Sequence, residues 1–344
     1  MPTDIVLDAG TYKTVLYSGG KILLQECSCV SVDSDTYEPL QYGDLAKSVL
    51  GKTPERITTV FPVERGVISD YDTAEAMIVH FIKKTFGEKI IKPRIIVIVP
   101  AGVTTVQHHS LASAVVSAGC RNISTIENTI ATAVGLGIDF KSPHGSMIVD
   151  FGGGTTDIAV MSMGGIVKSD VLRVGSIDFD DDIEKYVRYE KNILIGSQTS
   201  EYIKKTVGCA ADRDFEVTVT AKGRHLISGL PQEFTISSSE VKEAINDHLG
   251  MICKACQTVL ETTDPDIVSD ISKDGLYLVG GGASLFGFDK YLSEYLEIDI
   301  NHINDPLRCG LIGADKVLKN PKIVNKSDYQ YRAIKNLMVE LDEL

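Results

Sequence analysis

A short phrase occurs twice in this chain, and the pair constrains the fold more than any other feature of the sequence. Asp8-Ala9-Gly10-Thr11 follows the apolar run Ile5-Val6-Leu7, and Asp150-Phe151-Gly152-Gly153-Gly154-Thr155-Thr156-Asp157 follows Met147-Ile148-Val149. Each time, a short buried strand ends in an aspartate, a glycine and a hydroxyl residue, and a second apolar run begins just beyond. Glycine-rich turns let backbone N–H groups approach phosphate oxygens, because no Cβ intervenes and positive φ is permitted. Threonine hydroxyls add donors, and the two aspartates suit Mg2+ held through water. Either turn alone also reads as an ordinary β-hairpin. The pair, with three successive glycines in its second member, points to a clamp on a phosphate chain.

The chain is long enough for two domains: 344 residues with 43% hydrophobic side chains supply two cores. A net charge of −13 argues against a nucleic-acid surface, which needs clustered positive charge, and anionic lipid repels the bulk of such a molecule. No basic-then-apolar N-terminal segment is present, so no signal peptide is expected, and no apolar run approaches the ~20 residues of a membrane span. Seven cysteines without a regular framework fit a reducing cytoplasm. Cys253 and Cys256 form a CxxC within a helical pattern, with no second ligand pair, and read as buried packing.

The order of elements repeats. Ile5–Leu7, Val15–Tyr17 and Lys21–Leu24 read as an antiparallel meander. A helix over Thr73–Phe86 follows, with Ala74, Met77, Ile78, Phe81 and Ile82 on one face, then a buried strand Ile95–Val99, a helix over Thr105–Ala118, an extended Thr125-Ile126 and a helix over Thr129–Gly135. A second meander, Met147–Val149, Ile158–Met161 and Val167–Val174, precedes helices over Asp178–Tyr189 and Ser197–Val207. A strand pair Phe215–Ala221 and Gly223–Ile227, a strand Phe234–Ile236, a long helix Ser238–Glu261 and a buried strand Leu276–Val279 complete it. Gly280-Gly281-Gly282-Ala283 then opens a helix, where bare backbone suits an adenine ring, although such glycines also serve close packing. The expectation is a duplicated α/β unit with a cleft between its halves.

These residues resemble the actin and sugar-kinase ATPase superfamily and, within it, the bacterial actin homologue family MreB. The resemblance runs from residue 4 to about 319, through DAGTYKTVLY, FPVERGVISDYDTAEAMI, KPRIIVIVPAGVT, IENTIATAVGLG, MIVDFGGGTTDIAVMSMGGIV, LYLVGGGASLFGFDKYL and NDPLRCGLIGADKVL. It implies an actin-like ATPase fold. The core of the first domain would comprise 1–32, 67–144 and 306–344, with a small subdomain over 33–66. That of the second would comprise 145–180 and 238–305, with a small subdomain over 181–237.

The resemblance also implies a site for ATP and Mg2+. Asp8, Gly10, Thr11, Tyr12 and Lys13 match the first phosphate loop, and Asp150, Gly152, Gly153, Gly154, Thr155 and Thr156 the second. Asp8 and Asp150 would hold the metal through water. Glu127 falls where the family places the carboxylate that orients the attacking water, with Thr156 as a second catalytic group; without the family, Glu127 reads as an N-cap or surface acid. Glu201, Lys204 and Lys205 share one helix face and match an adenosine-contacting pattern of related chaperones, or else form a solvated charged face. Gly280, Gly281, Gly282 and Ala283 would complete the nucleoside pocket.

Three departures from the family pattern bear on hydrolysis: Tyr12 and Lys13 replace a small or polar residue and an asparagine, Asn128-Thr129 replaces Glu-Pro after Glu127, and Ser176-Ile177 replaces Gly-Asp. Nucleotide binding is therefore expected more firmly than brisk hydrolysis. Ile90 and Ile91, flanked by lysines, occupy the place of the family's membrane-dipping loop, or pack inward. In the tail, Tyr331, Ile334, Leu337, Met338, Leu341 and Leu344 form a helical apolar seam expected to dock on the chain's own domain.

The combined expectation is a cytoplasmic protein at the inner membrane face that assembles with itself into paired filaments, supports cell shape beside shape-determining membrane proteins, and hydrolyses ATP slowly. The alternatives are a filament paralogue with degraded ATPase used in motility or scaffolding, and a monomeric kinase or chaperone of the same fold.

Overall fold

The computed structural model describes residues 4–87, 93–101, 105–120, 122–139, 141–324 and 331–334. The chain divides into two compact units, Met1–Pro143 with Met161–Val171 and Leu307–Leu344, and His144–Val160 with Leu172–Pro306.

The first unit begins with the meander β1 (Asp4–Ala9), β2 (Lys13–Ser18) and β3 (Lys21–Cys27). β4 (Val30–Asp33), β5 (Pro39–Tyr42), α1 (Gly43–Val49) and β6 (Ile57–Val60) follow, the strands forming a small sheet in the order β5-β4-β6. Next come the hairpin β7 (Val63–Glu64) and β8 (Val67–Ile68), then α2 (Tyr71–Phe86), β9 (Arg94–Val99), α3 (Thr105–Ser117), β10 (Asn122–Glu127) and α4 (Asn128–Leu136). Asp70 starts α2 by accepting from the Thr73 N–H, and Gly87 at φ +72° ends it. All five apolar residues expected on one face of α2 are buried, against a core that includes Ile5, Leu7, Leu16, Ile95 and Val97.

The second unit comprises β11 (Ser146–Phe151), β12 (Thr156–Ser162), β13 (Gly165–Leu172), α5 (Ser176–Lys191), β14 (Ile193–Leu194), α6 (Ser197–Val207), β15 (Thr218–His225), β16 (Pro231–Ser237), α7 (Ser238–Glu261), α8 (Pro265–Asp274), β17 (Leu276–Val279), α9 (Phe288–Leu296) and β18 (Ile300–Asn301). Of these residues, Met161–Val171, which holds the end of β12 and all of β13 but Leu172, belongs to the first unit. A capping box in which the Ser237 hydroxyl accepts from the Glu240 N–H, and the Glu240 carboxylate from the Ser237 N–H, fixes the start of α7. Phe151 lies edge-on to Phe179 and to Phe288, centroids 5.4 and 5.2 Å apart, and anchors the end of β11 in the second core. α10 (Cys309–Lys319) and β19 (Tyr331–Ile334) belong to the first unit.

The duplication is visible in the sheets. The first has the order β19-β10-β9-β1-β2-β3, and the second contains the run β12-β11-β17-β18. β1 is antiparallel to β2 and parallel to β9, and β11 is parallel to β17.

Three expectations fail in detail. β15 runs unbroken through Gly223, which lies opposite Gln232; a Cβ there would sit 2.3 Å from Ile193 Cγ2, so the glycine serves the close approach of β14 and makes no turn. Gly281–Ser284 forms a single 3-10 turn, and the following helix waits until Phe288. Tyr331–Ile334 is a strand, because backbone pairing with β10 outweighs the local helical pattern; the rest of the seam, 335–344, lies outside the described residues, as do Ile90 and Ile91. Cys253 and Cys256 are buried on α7, and burial pushes the Cys253 thiol up to about 12, which fits packing.

Candidate functional site

The two glycine turns are built alike, each within its own unit. The Gly10 N–H donates to the Lys13 carbonyl at 3.0 Å, and the Gly152 N–H to the Thr155 carbonyl at 2.8 Å. In both, the glycine amide closes the mouth of a hairpin whose first strand runs parallel to a neighbour. Each turn thus lies at the carboxyl edge of a parallel strand pair, the usual ligand side of α/β sheets.

In the first unit Asp8 pairs across to Ile98 of β9, and Glu127 ends β10 opposite Val99. Both residues therefore lie at the carboxyl end of the sheet, one register step apart, with β9 between them. Glu127 is 7% exposed and occupies the N-cap position of α4 without a side-chain cap bond. The Thr11 hydroxyl accepts from the Gly66 N–H at 3.0 Å, which leaves its own proton for an anion. The Ser28 hydroxyl donates to the Gly10 carbonyl at 2.6 Å, and the Ser28 N–H to the Tyr12 carbonyl at 3.0 Å, bracing the turn from behind. The Tyr12 hydroxyl accepts from Lys47 Nζ at 2.7 Å, the same ammonium lying 4.4 Å from the ring centroid. Lys13 is exposed, with its ammonium 5.8 Å from the Tyr12 ring.

In the second unit the first turn of α5 holds the glycine loop. The Ser176 and Ile177 N–H groups donate to the Gly152 and Gly153 carbonyls at 3.1 and 2.9 Å. That approach requires a bare backbone at Gly175, where a Cβ would stand 2.3 Å from the Gly153 oxygen. Thr156 is fully buried and donates its hydroxyl to the Val174 carbonyl at 2.9 Å, a bond that braces the end of the loop.

Gly280 has φ +87°, and a Cβ on it would meet Asp150 Oδ1 at 2.3 Å. The space beside this carboxylate therefore depends on glycine. Gly282 packs on the Phe151 ring, Ala283 against the second core, and Gly281 is exposed. Both Gly280 and Gly282 lie in close contact with β11, at Asp150 and Phe151.

Glu201, Lys204 and Lys205 lie on α6. Glu201 is 9% exposed and paired with Lys205. Lys204 Nζ binds Asp180 Oδ2 at 2.7 Å and the Ser176 carbonyl, which ties α6 to the same α5 turn that holds the loop. Burial pushes the Asp180 carboxyl up to about 6 and lowers the Lys204 ammonium, each opposed by the other's charge. Among the described residues, no group of three or more His, Cys, Asp and Glu is placed to hold a metal, and no helix is long and apolar enough to cross a membrane.

A model of the MreB/Mbl protein family matches residues 2–326. The chain belongs to the MreB/Mbl family. It is 38% identical over 323 residues to the cell shape-determining protein MreB of Escherichia coli K12, covering 92% of this chain and 93% of that one. It is 37% identical over 319 residues to the cell shape-determining protein Mbl of Bacillus cereus, covering 92% and 96%. The crystal structure of MreB5 of Spiroplasma citri bound to ADP superimposes with a TM-score of 0.87 at 32% identity, over 93% of this chain and 97% of that one. A MamK double helical filament, at 19% identity and a TM-score of 0.75 over 92% and 99%, shares the fold. The expected actin-like α/β fold is thus the fold of this MreB/Mbl chain.

Around the family's motifs, the structure adds Ser28, Lys47, Gly66, Val174 and Asp180, none of them singled out in the sequence. Their partners lie 18 residues (Ser28 to Gly10), 35 (Lys47 to Tyr12) and 55 (Gly66 to Thr11) away, and no local pattern marks such contacts.

Proposed function

We propose that the protein is an ATP- and Mg2+-binding cytoskeletal filament protein that supports cell shape, with slow hydrolysis linked to assembly. The observation that carries this reading is the repeated glycine turn at two parallel-strand ends, in a chain whose MreB5 relative is described bound to ADP and to AMPPNP. Gly10, Thr11 and Lys13 on one side, and Gly152 to Thr155 on the other, would bind phosphate oxygens through N–H, hydroxyl and ammonium donors. Asp8 and Asp150 would hold Mg2+ through water, and the glycine at 280 keeps a side chain from Asp150 Oδ1. The metal supplies charge neutralisation on the phosphates.

Glu127 would orient the attacking water, its buried setting at the end of β10 limiting its freedom. Glu201 and Lys205, with Gly281, would border the nucleoside, and Lys204 would act beside them through the α5 turn. Assembly into paired filaments at the inner face of the membrane, with Ile90 and Ile91 entering lipid and shape-determining membrane proteins as neighbours, follows from the family resemblance. Purified protein with ATP and Mg2+ on lipid should form filaments visible by electron microscopy. Protein that never sediments or assembles across salt conditions refutes the filament reading.

A filament protein with degraded ATPase is the second reading, favoured by the Thr156 hydroxyl being committed to the Val174 carbonyl. Phosphate release by wild type and Glu127→Ala separates the two: equal, near-background rates select the second.

A further inference from the structure

The first sheet carries a strand that its internal counterpart lacks. β2-β1-β9-β10 and β12-β11-β17-β18 follow one order, and among the described residues the second sheet ends at β18 while the first continues into β19. β19 also lies beyond 2–326, the span matched by the MreB/Mbl model. It is an addition both to the duplicated plan and to the matched family region.

Its placement is specific. β19 runs antiparallel to β10, with Ile334 opposite Ile123, Ala333 opposite Ser124, Arg332 opposite Thr125 and Tyr331 opposite Ile126. The next residue of β10 is Glu127, its last, held on the other side by pairing with Val99 of β9. Without β19, β10 would be an edge strand with one row of N–H and C=O groups unpaired. Such edges open locally at low free-energy cost. A carboxylate that orients a reacting water has to be held to a fraction of an ångström by its surroundings.

We infer that Tyr331–Ile334 is a positioning strand for Glu127, fixing the last residues of β10 in the geometry that hydrolysis requires. The inference rests on the reading of Glu127 given under Proposed function. Adjacent residues in an antiparallel ladder alternate between bonded and non-bonded pairs, so prolines at both Arg332 and Ala333 remove a ladder donor in either phase.

The test uses the full chain carrying Arg332→Pro and Ala333→Pro, beside wild type, Glu127→Ala and a chain ending at Val324. Loss of a transition-state interaction alone lowers kcat by about tenfold and leaves KM within about twofold. Amide exchange over Ile123–Glu127 should accelerate in the same variants, while exchange over β1 and α2 stays unchanged. The chain ending at Val324 should reproduce both effects, which covers a double-proline chain that fails to fold. Unchanged kcat in a folded variant overturns the inference, as does a parallel loss of kcat, KM and global stability. Wild-type hydrolysis that is insensitive to Glu127→Ala overturns the catalytic reading of Glu127 and the inference together.

Discussion

Lys204 Nζ lies 2.7 Å from Asp180 Oδ2, with the two side chains 12% and 9% exposed, so an ion pair is buried between α5 and α6. The same ammonium holds the Ser176 carbonyl, whose own residue donates its N–H to Gly152. A change at Lys204 therefore reaches the glycine loop through one residue. Removing one partner of such a pair typically costs ~3–5 kcal/mol, because the other charge stays buried without compensation. Lys204→Met should show this loss in urea unfolding at pH 8, and the loss should shrink as acid neutralises Asp180. A penalty that does not depend on pH would contradict the pairing.

Asp180 itself gives a pH dependence. Its folded value, about 6, stands above the ordinary 3.8, so the native state binds more protons than the unfolded state between those limits. Stability from this group is present at low pH and falls as pH rises through that window. Wild type should therefore lose stability relative to Asp180→Asn between pH 4 and about 6, as read by urea midpoints at each pH.

Gly175→Ala is expected to displace the second glycine loop, since its Cβ would stand 2.3 Å from the Gly153 oxygen. Overpacking of this kind costs ~1–3 kcal/mol. The sharper readout is affinity for a fluorescent ATP analogue, expected to fall by about tenfold, since 1.4 kcal/mol of misplaced donors suffices. Unaltered affinity would detach α5 from phosphate binding.

Tyr12→Phe removes the acceptor for Lys47 and keeps the ring beneath its ammonium. The cost should be about 1 kcal/mol, the net worth of one hydrogen bond, and Tyr12→Ala should cost more because the cation–π contact is lost as well. Denaturant midpoints of the two variants rank these contributions directly.

All seven cysteines are buried and outside any disulfide, and burial pushes the thiols of Cys27 and Cys253 up to about 12 and those of Cys29 and Cys120 up to about 11. Because the thiolate is the reactive form, native protein at pH 8 should react with a thiol reagent only as fast as it opens. A single fast-reacting thiol would show that one of these sites is exposed.

Much of the fold could be read from the sequence because its main elements carry local signals. The five inward residues of α2 recur at helical spacing, α6 and α7 fall on their expected bounds, and each glycine turn follows a short apolar strand. What escaped depends on partners far along the chain. A strand break at Lys222 is expected until β16 is seen paired through it, and Tyr331–Ile334 has helical periodicity until β10 supplies backbone partners. The candidate site follows the same rule: Asp8 and Asp150 are marked by their own segments and Glu127 by the family resemblance, whereas Ser28, Lys47 and Asp180 connect to it across 18, 35 and 24 residues.

The sixth strand also bears on how copies of the chain can meet. An open strand edge invites pairing with the edge of another molecule, a route to uncontrolled aggregation as much as to assembly. With β19 seated on β10, that edge already has its backbone partners over Ile123–Ile126. The outer strand on this side is then the four-residue β19, too short an edge to template much pairing, so an ordered polymer would have to be specified chiefly by side-chain surfaces.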